Sequence, residues 1–262
     1  MCRRRVAVRR EVGMVEPLFH VKICGVTSPG DARLVAAAGA DAVGLNFVAG
    51  SPRCLAVEAA RGVAAAVPRG VLKVGVFAGS TAADIRRIAT AVGLDAIQLH
   101  GHLFADGDDR VVDAPELCAA LAGLPVIRAV RLDDGHATGD PFAAARRWIE
   151  LAVAAGATPR MAIVDAAVPR GTAAGQLGGT GARADWTAVA RAAALPVPLA
   201  LAGGLTPENV AAAITASGCR SVDTASGVES APGIKDPGLV RAFVAAASAS
   251  LSADPLRIWP GG

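Results

Sequence analysis

Short β-like runs alternate with Ala-rich helical stretches eight times along this chain, and that alternation limits its fold more than any other feature. The strand candidates are HVKICGV (20–26), DAVGLNF (41–47), LKVGVF (72–77), AIQLH (96–100), VIRAVR (126–131), RMAIVDA (160–166), LALAGG (199–204) and SVDTASG (221–227). Helical stretches follow them at about 29–38, 57–66, 81–92, 114–121, 141–155, 185–194, 206–217 and 236–248. Several open on a cap and first-turn signal such as Ser28-Pro29 or Thr206-Pro207-Glu208, where proline suits the first helical position. Strict strand–helix alternation implies a parallel sheet. Eight such units in about 250 residues match a single (βα)8 TIM barrel, an α/β fold. A doubly wound open sheet is the competing arrangement. It usually has fewer strands and a glycine-rich turn after the first, and that turn is absent here.

The chain has 262 residues, 53% of them hydrophobic, enough to bury a large core. Its net charge is +3, and much of the basic excess lies in the opening MCRRRVAVRR, so the body is close to neutral. No clustered basic face and few aromatic residues speak against nucleic-acid binding. The longest apolar stretches are broken by Arg, Asp, Gly or Pro within about 20 residues, which speaks against a membrane span. The basic start lacks a following apolar run, so no secretory signal is read. The five cysteines are far apart and form no C-x-x-C pair. That favours a reducing, cytoplasmic compartment over a disulfide scaffold or a metal site. Residues 1–19 are read as a basic extension expected to be disordered, with Met14 an alternative start. The barrel domain is read as 20–250, and 251–262 as a tail. Two polar loops, 102–113 and 132–140, exceed what a barrel needs and read as surface insertions.

In such a barrel, chemistry sits at the C-terminal ends of the strands. Cys24 ends the first. Strand alternation puts Lys22 on its face, and a nearby cation favours the reactive thiolate. The opposing reading is an inert buried thiol with Lys22 paired elsewhere. Asp165 ends the sixth strand as the lone acid of an apolar run, a setting that raises a carboxyl pKa and suits proton donation. LALAGGL and TASGVESAPG follow strands seven and eight, with backbone amides at Gly203, Gly204, Ser226 and Gly227. That is where barrels recurrently hold phosphate, and glycine lets the backbone approach it closely. GQLGGTG (175–181) is read as a lid or part of that cradle. Arg53, in SPR after strand two, can grip a carboxylate bidentately. His100 in QLHG reads as structural.

The segments VKICGVT, VGLNFVAGSPR, VGVF, IQLHG, GGTG…DW, LAGGLTPENV and VDTASGVESAPGIKD, in that order, closely resemble phosphoribosylanthranilate isomerases of tryptophan biosynthesis, from about Val21 to Val244. The resemblance implies an Amadori rearrangement of N-(5-phosphoribosyl)anthranilate by general acid–base catalysis. It casts Cys24 as the base at ribose C2, Asp165 as the acid at the ring oxygen, and Arg53 as the holder of the anthranilate carboxylate. The backbone of Gly203, Gly204, Ser226 and Gly227 would hold the phosphate. It implies a small phosphorylated substrate, no metal or redox cofactor, no nucleic-acid or membrane partner, and a monomer or homodimer. The chain departs from the pattern at Cys54, where an aromatic is common, and at Thr224-Ala225, where Val-Ser is common. A bifunctional isomerase that also serves histidine biosynthesis would use a carboxylate base on strand one and two phosphate loops. A dead barrel kept as a binder would have lost Cys24 or Asp165.

Overall fold

A computed structural model describes residues 15–101, 113–131, 142–165, 186–191 and 195–253. Most of the basic extension, the 175–181 segment, the bulk of both long loops and the end of the tail lie outside the described residues. Eight parallel strands close into a barrel in sequence order: β1 (Val21–Ile23), β2 (Ala42–Asn46), β3 (Leu72–Phe77), β4 (Ala96–Leu99), β5 (Val126–Arg131), β6 (Met161–Asp165), β7 (Leu199–Leu201) and β8 (Ser221–Thr224). The barrel shuts where Lys22 of β1 pairs with Asp223 of β8. Each strand is followed by a helix: α1 (Pro29–Ala37), α2 (Val57–Ala65), α3 (Ala82–Val92), α4 (Leu117–Ala120), α5 (Ala143–Ala154), α6 (Trp186–Arg191), α7 (Val210–Ser217) and α8 (Pro237–Ser252). The expected (βα)8 architecture is therefore present.

The helix starts follow local chemistry. The side chains of Ser28, Thr81 and Asp236 accept from backbone N–H groups of the first turns of α1, α3 and α8, which relieves donors that have no partner inside the helix. Thr206-Pro207-Glu208 behaves otherwise. Thr206 O accepts from both Asn209 N and Val210 N. Those residues form a tight turn, and α7 starts only at Val210. The stretch expected to be helical at 114–121 shortens to four residues.

Strand alternation splits the core in two. Phe19, Ala42, Val74, Ala96, Ile127, Met161, Ile163, Ala200 and Ala202 fill the barrel's interior. Alternate strand residues such as Val43, Leu45, Ile97 and Val164 pack outward with helix residues such as Val35, Ile85, Trp148 and Phe243. Further along the strands the inward positions turn polar, at Lys22, Gln98, Asp165 and Asp223. An apolar floor thus carries a polar mouth. A short hairpin absent from the sequence reading, β9 (Glu229–Ala231) with β10 (Ile234–Lys235), stands beside that mouth after a single 3-10 turn at Ser226–Val228.

Candidate active site

A cavity opens at the C-terminal ends of the strands, lined among others by Cys24, Arg53, His100, Asp165, Gly203, Gly204 and Ser226. Six of the seven expected site residues therefore share one space. Gly227 is not among the lining residues. It sits one step further on, where an added Cβ would strike the carbonyl oxygen of Leu205. Thr224 Oγ1 donates to the same carbonyl at 2.7 Å. The loops after β7 and β8 are thus laced together, and glycine is required at 227 for that approach. Gly203 and Gly204 both hold positive φ, 88° and 63°, a backbone that side chains rarely adopt.

Cys24 is half-buried at the end of β1. A Cβ on Gly44, in neighbouring β2, would lie 2.6 Å from Cys24 Sγ. Gly44 therefore makes the space into which the thiol projects. Lys22, two residues back and fully buried, donates to Asp223 Oδ2 at 2.9 Å. The opposing sequence reading was right that Lys22 is paired. The expected pull of Lys22 toward the thiolate is present but outweighed. Burial pushes the Cys24 pKa up, and Asp223 adds to the rise; the pull of Lys22 and Lys235 does not overcome them. Lys22 itself stays charged, because Asp223 and the thiol hold its pKa above the usual lysine value against the effect of burial.

Asp165 ends β6 and is half-buried, on a different wall from Cys24. Passing from β6 to β1 around the barrel crosses β7 and β8, so the glycine-rich loops lie between the carboxyl and the thiol. Asn46 shapes the segment carrying Arg53: its Nδ2 donates to Ser51 Oγ at 3.1 Å, and its Oδ1 accepts from Val48 N at 2.7 Å. The Arg53 side chain passes over Gly25, where a Cβ would collide with it. Its Nε and Nη2 donate to the two oxygens of Glu229 at 2.8 and 2.6 Å. Nη1 makes no bond among the described residues, so two N–H groups remain for a ligand carboxylate.

Three charged residues that sequence reasoning passed over complete the site: Asp223, Glu229 and Lys235. Lys235, buried in the hairpin, donates to Cys24 O at 2.7 Å, Ala225 O at 3.0 Å and Glu229 Oε1 at 2.8 Å. It ties the ends of β1 and β8 to the hairpin. The motif pair SGVE and G-x-KD contained Glu229 and Lys235, but nothing local links them to Cys24. His100 lies in the cavity, where its Nδ1 is 3.1 Å from Gln98 Nε2. Among the described residues no cluster of His, Cys, Asp and Glu is placed to hold a metal ion, and no helix is long and apolar enough to cross a membrane.

Residues 21–246 match the family described as N-(5'phosphoribosyl)anthranilate (PRA) isomerase. The N-(5'-phosphoribosyl)anthranilate isomerase of Ruegeria sp. (strain TM1040) is 43% identical over 231 residues, covering 88% of this chain and 98% of the relative. The crystal structure of phosphoribosyl anthranilate isomerase from Thermotoga maritima superposes with a TM-score of 0.71 at 32% identity, covering 88% of this chain and 99% of that one. A structure of such an isomerase in complex with reduced 1-(o-carboxyphenylamino)-1-deoxyribulose 5-phosphate gives a TM-score of 0.67 at 30% identity, with coverage of 88% and 99%.

Proposed function

The chain belongs to the phosphoribosylanthranilate isomerase family, and from that premise we propose that it converts N-(5-phosphoribosyl)anthranilate to 1-(2-carboxyphenylamino)-1-deoxyribulose 5-phosphate in tryptophan biosynthesis. The observation that carries the mechanism is the placement of one thiol and one carboxyl on separate walls of one cavity, with the glycine-rich loops between them.

The substrate is a closed aminoaldose. Asp165, as the acid, gives a proton to the ring oxygen. The bond from C1 to that oxygen breaks, and the nitrogen lone pair forms a protonated imine at C1. Cys24, as the thiolate base, removes the proton from C2, and the C–H electrons move to give an enolamine. The enolamine takes a proton at C1 and loses the one on its C2 oxygen, which leaves a ketone. Nothing is oxidised or reduced overall, so the product is an isomer. Matched acid and base steps each contribute about 10²–10⁴-fold. The amides around Gly203, Gly204 and Ser226 suit the phosphate, with Gly227 allowing the close approach of the two loops. The N–H groups of Arg53 Nη1 suit the anthranilate carboxylate.

The test is a coupled assay. Anthranilate, phosphoribosyl pyrophosphate and its transferase supply the substrate, and indole-glycerol-phosphate synthase consumes the product. Indole-glycerol phosphate should form only when this protein is present. Cys24→Ala and Asp165→Ala should each abolish turnover with the fold intact. Full activity in either variant would remove the role assigned to that residue.

A further inference from the structure

Burying a lysine is costly, and a well-packed apolar replacement for a buried ion pair is often neutral or stabilising. The Lys22–Asp223 pair therefore calls for a reason other than stability. The two residues are direct neighbours across the β1–β8 seam that closes the barrel. Lys22 engages one oxygen of Asp223. The other, Oδ1, is buried and has no hydrogen-bond partner among the described residues, while Asp223 lines the cavity beside Cys24. A carboxylate oxygen without a partner at a ligand cavity is positioned to accept a donor from the ligand.

We propose that Lys22 and Asp223 are positioning residues that act in opposition on Cys24: the ammonium supports the thiolate, the carboxylate restrains it, and a sugar hydroxyl seated on Asp223 Oδ1 releases the restraint. The inference rests on the reading of Cys24 as the base. The charged groups around the thiol are Lys22 on its own strand, Asp223 from β8, Lys235 from the hairpin and Arg53 from the loop after β2. Gly44 of β2 presents no side chain, and Asp165 and His100 line the cavity from β6 and β4. Lys235 and Arg53 are both tied to Glu229. The Lys22 ammonium donates to one oxygen of Asp223 and interacts with the thiol, and the other oxygen of Asp223 has no partner among the described residues. A hydroxyl proton on Oδ1 draws off part of the carboxylate charge that Cys24 feels, and the influence of Lys22 then prevails. The base is thus held largely as thiol in the free protein and becomes a thiolate when the sugar is in place.

The experiment is alkylation of Cys24 by iodoacetamide across pH 6–10, read on the peptide that carries it so that exposed Cys54 does not contribute. Asp223→Asn removes the restraint. It should move the alkylation midpoint toward acid and speed the reaction at pH 8 by about tenfold, the effect of one pKa unit, while kcat/KM falls. Lys22→Met should move the midpoint toward alkali and slow both alkylation and turnover. A merely structural pair would move alkylation in the same direction in both variants, or in neither, and either result overturns the proposal. Should Asp223→Asn fail to fold, the double variant Lys22→Met, Asp223→Leu replaces the pair with apolar groups. It should fold and lose most of its kcat/KM, and wild-type kcat/KM in that protein overturns the proposal. The alkylation readout does not depend on turnover. An active Cys24→Ala would defeat the reading of the base, whereas Cys24 reactivity indifferent to both partners would defeat this inference alone.

Discussion

Arg53 and Glu229, 176 residues apart in the chain, face each other fork to fork, Nε to Oε1 at 2.8 Å and Nη2 to Oε2 at 2.6 Å. The same carboxylate accepts from Lys235 Nζ, and Lys235 in turn holds the carbonyl of Cys24. One glutamate thus connects the proposed carboxylate-binding arginine to the backbone of the proposed base.

Replacing Glu229 should therefore do more than remove an ion pair. Glu229→Ala leaves the buried Lys235 ammonium and the half-buried Arg53 without their carboxylate. Breaking a buried pair in this way costs about 3–5 kcal/mol, and urea unfolding measures it. Glu229→Gln should keep the fold but raise KM, because Arg53 is no longer aimed by a charged fork. Acidity should act in the same sense. Burial alone would raise the Glu229 pKa, but the hydrogen bonds from Arg53 and Lys235 overcome it and hold the pKa below the usual glutamate value. A carboxylate lowered in this way contributes stability that is complete above its unfolded pKa and is lost as pH falls through its folded pKa. The wild-type advantage over Glu229→Gln should shrink through that acid window, and a constant gap would contradict it.

Gly44→Ala tests how Cys24 is seated. The added Cβ would lie 2.6 Å from Sγ and 2.9 Å from Cys24 Cα, so the thiol must move. The backbone at 44 does not require a positive φ, and the strand should still form. A misplacement of about 1 Å can cost about 10²-fold in rate, so kcat should drop by that order, and the crowding against the Cys24 backbone should also cost about 1–3 kcal/mol of stability. Undiminished kcat would mean that the position of the thiol is not critical.

The alternation of strand and helix made the barrel legible, because its two periodicities are local properties of the chain. Cys24, Asp165, Arg53 and the two glycine-rich loops were legible for a related reason: strand ends can be read off strands. Asp223, Glu229 and Lys235 were not, since their partners are 201, 176 and 211 residues away. The direction of the Cys24 pKa escaped the sequence because a single neighbouring lysine says nothing of burial or of the carboxylate that occupies it. The hairpin beside the mouth was hidden by two strands of three and two residues. The reading of 102–113 as a surface insertion fails at its last residue. Asp113 is fully buried, and its carboxylate accepts from Gly79 N at 2.8 Å, from Gly101 N and from Arg128 Nη1 at 3.1 Å.

That cluster gives a prediction away from the cavity. Arg128 points outward from β5 and is fully buried. It also donates to the carbonyls of Leu99 and Gly101, and its guanidinium lies 5.0 Å from the ring centre of Trp148. Burial lowers its pKa to about 10, against the pull of Asp113, so it stays charged at neutral pH. Asp113→Ala leaves that charge without its carboxylate and frees the backbone after β3 and β4. It should cost about 3–5 kcal/mol in urea unfolding and leave kcat near wild type at temperatures where the protein is folded. A lost kcat in folded protein would tie this cluster to the chemistry.

The pH dependence of Cys24 alkylation tests the state of the base directly. Since burial first, and Asp223 with it, put the Cys24 pKa above the ordinary cysteine value, the thiol is mostly protonated at neutral pH in the free protein. The active form is the thiolate, whose fraction grows about tenfold per pH unit below the pKa. The logarithm of the Cys24 alkylation rate should therefore climb with a slope near one from pH 7 to pH 8 and beyond, whereas kcat/KM also depends on Asp165 being protonated. Lys235→Met removes an ammonium that pulls the thiol down, so the rising limb should move further toward alkali. Its slope should be unchanged, and turnover at neutral pH should fall. A wild-type plateau reached below pH 8 would mean that the thiolate already predominates there, and that the pull of Lys22 and Lys235 outweighs burial after all.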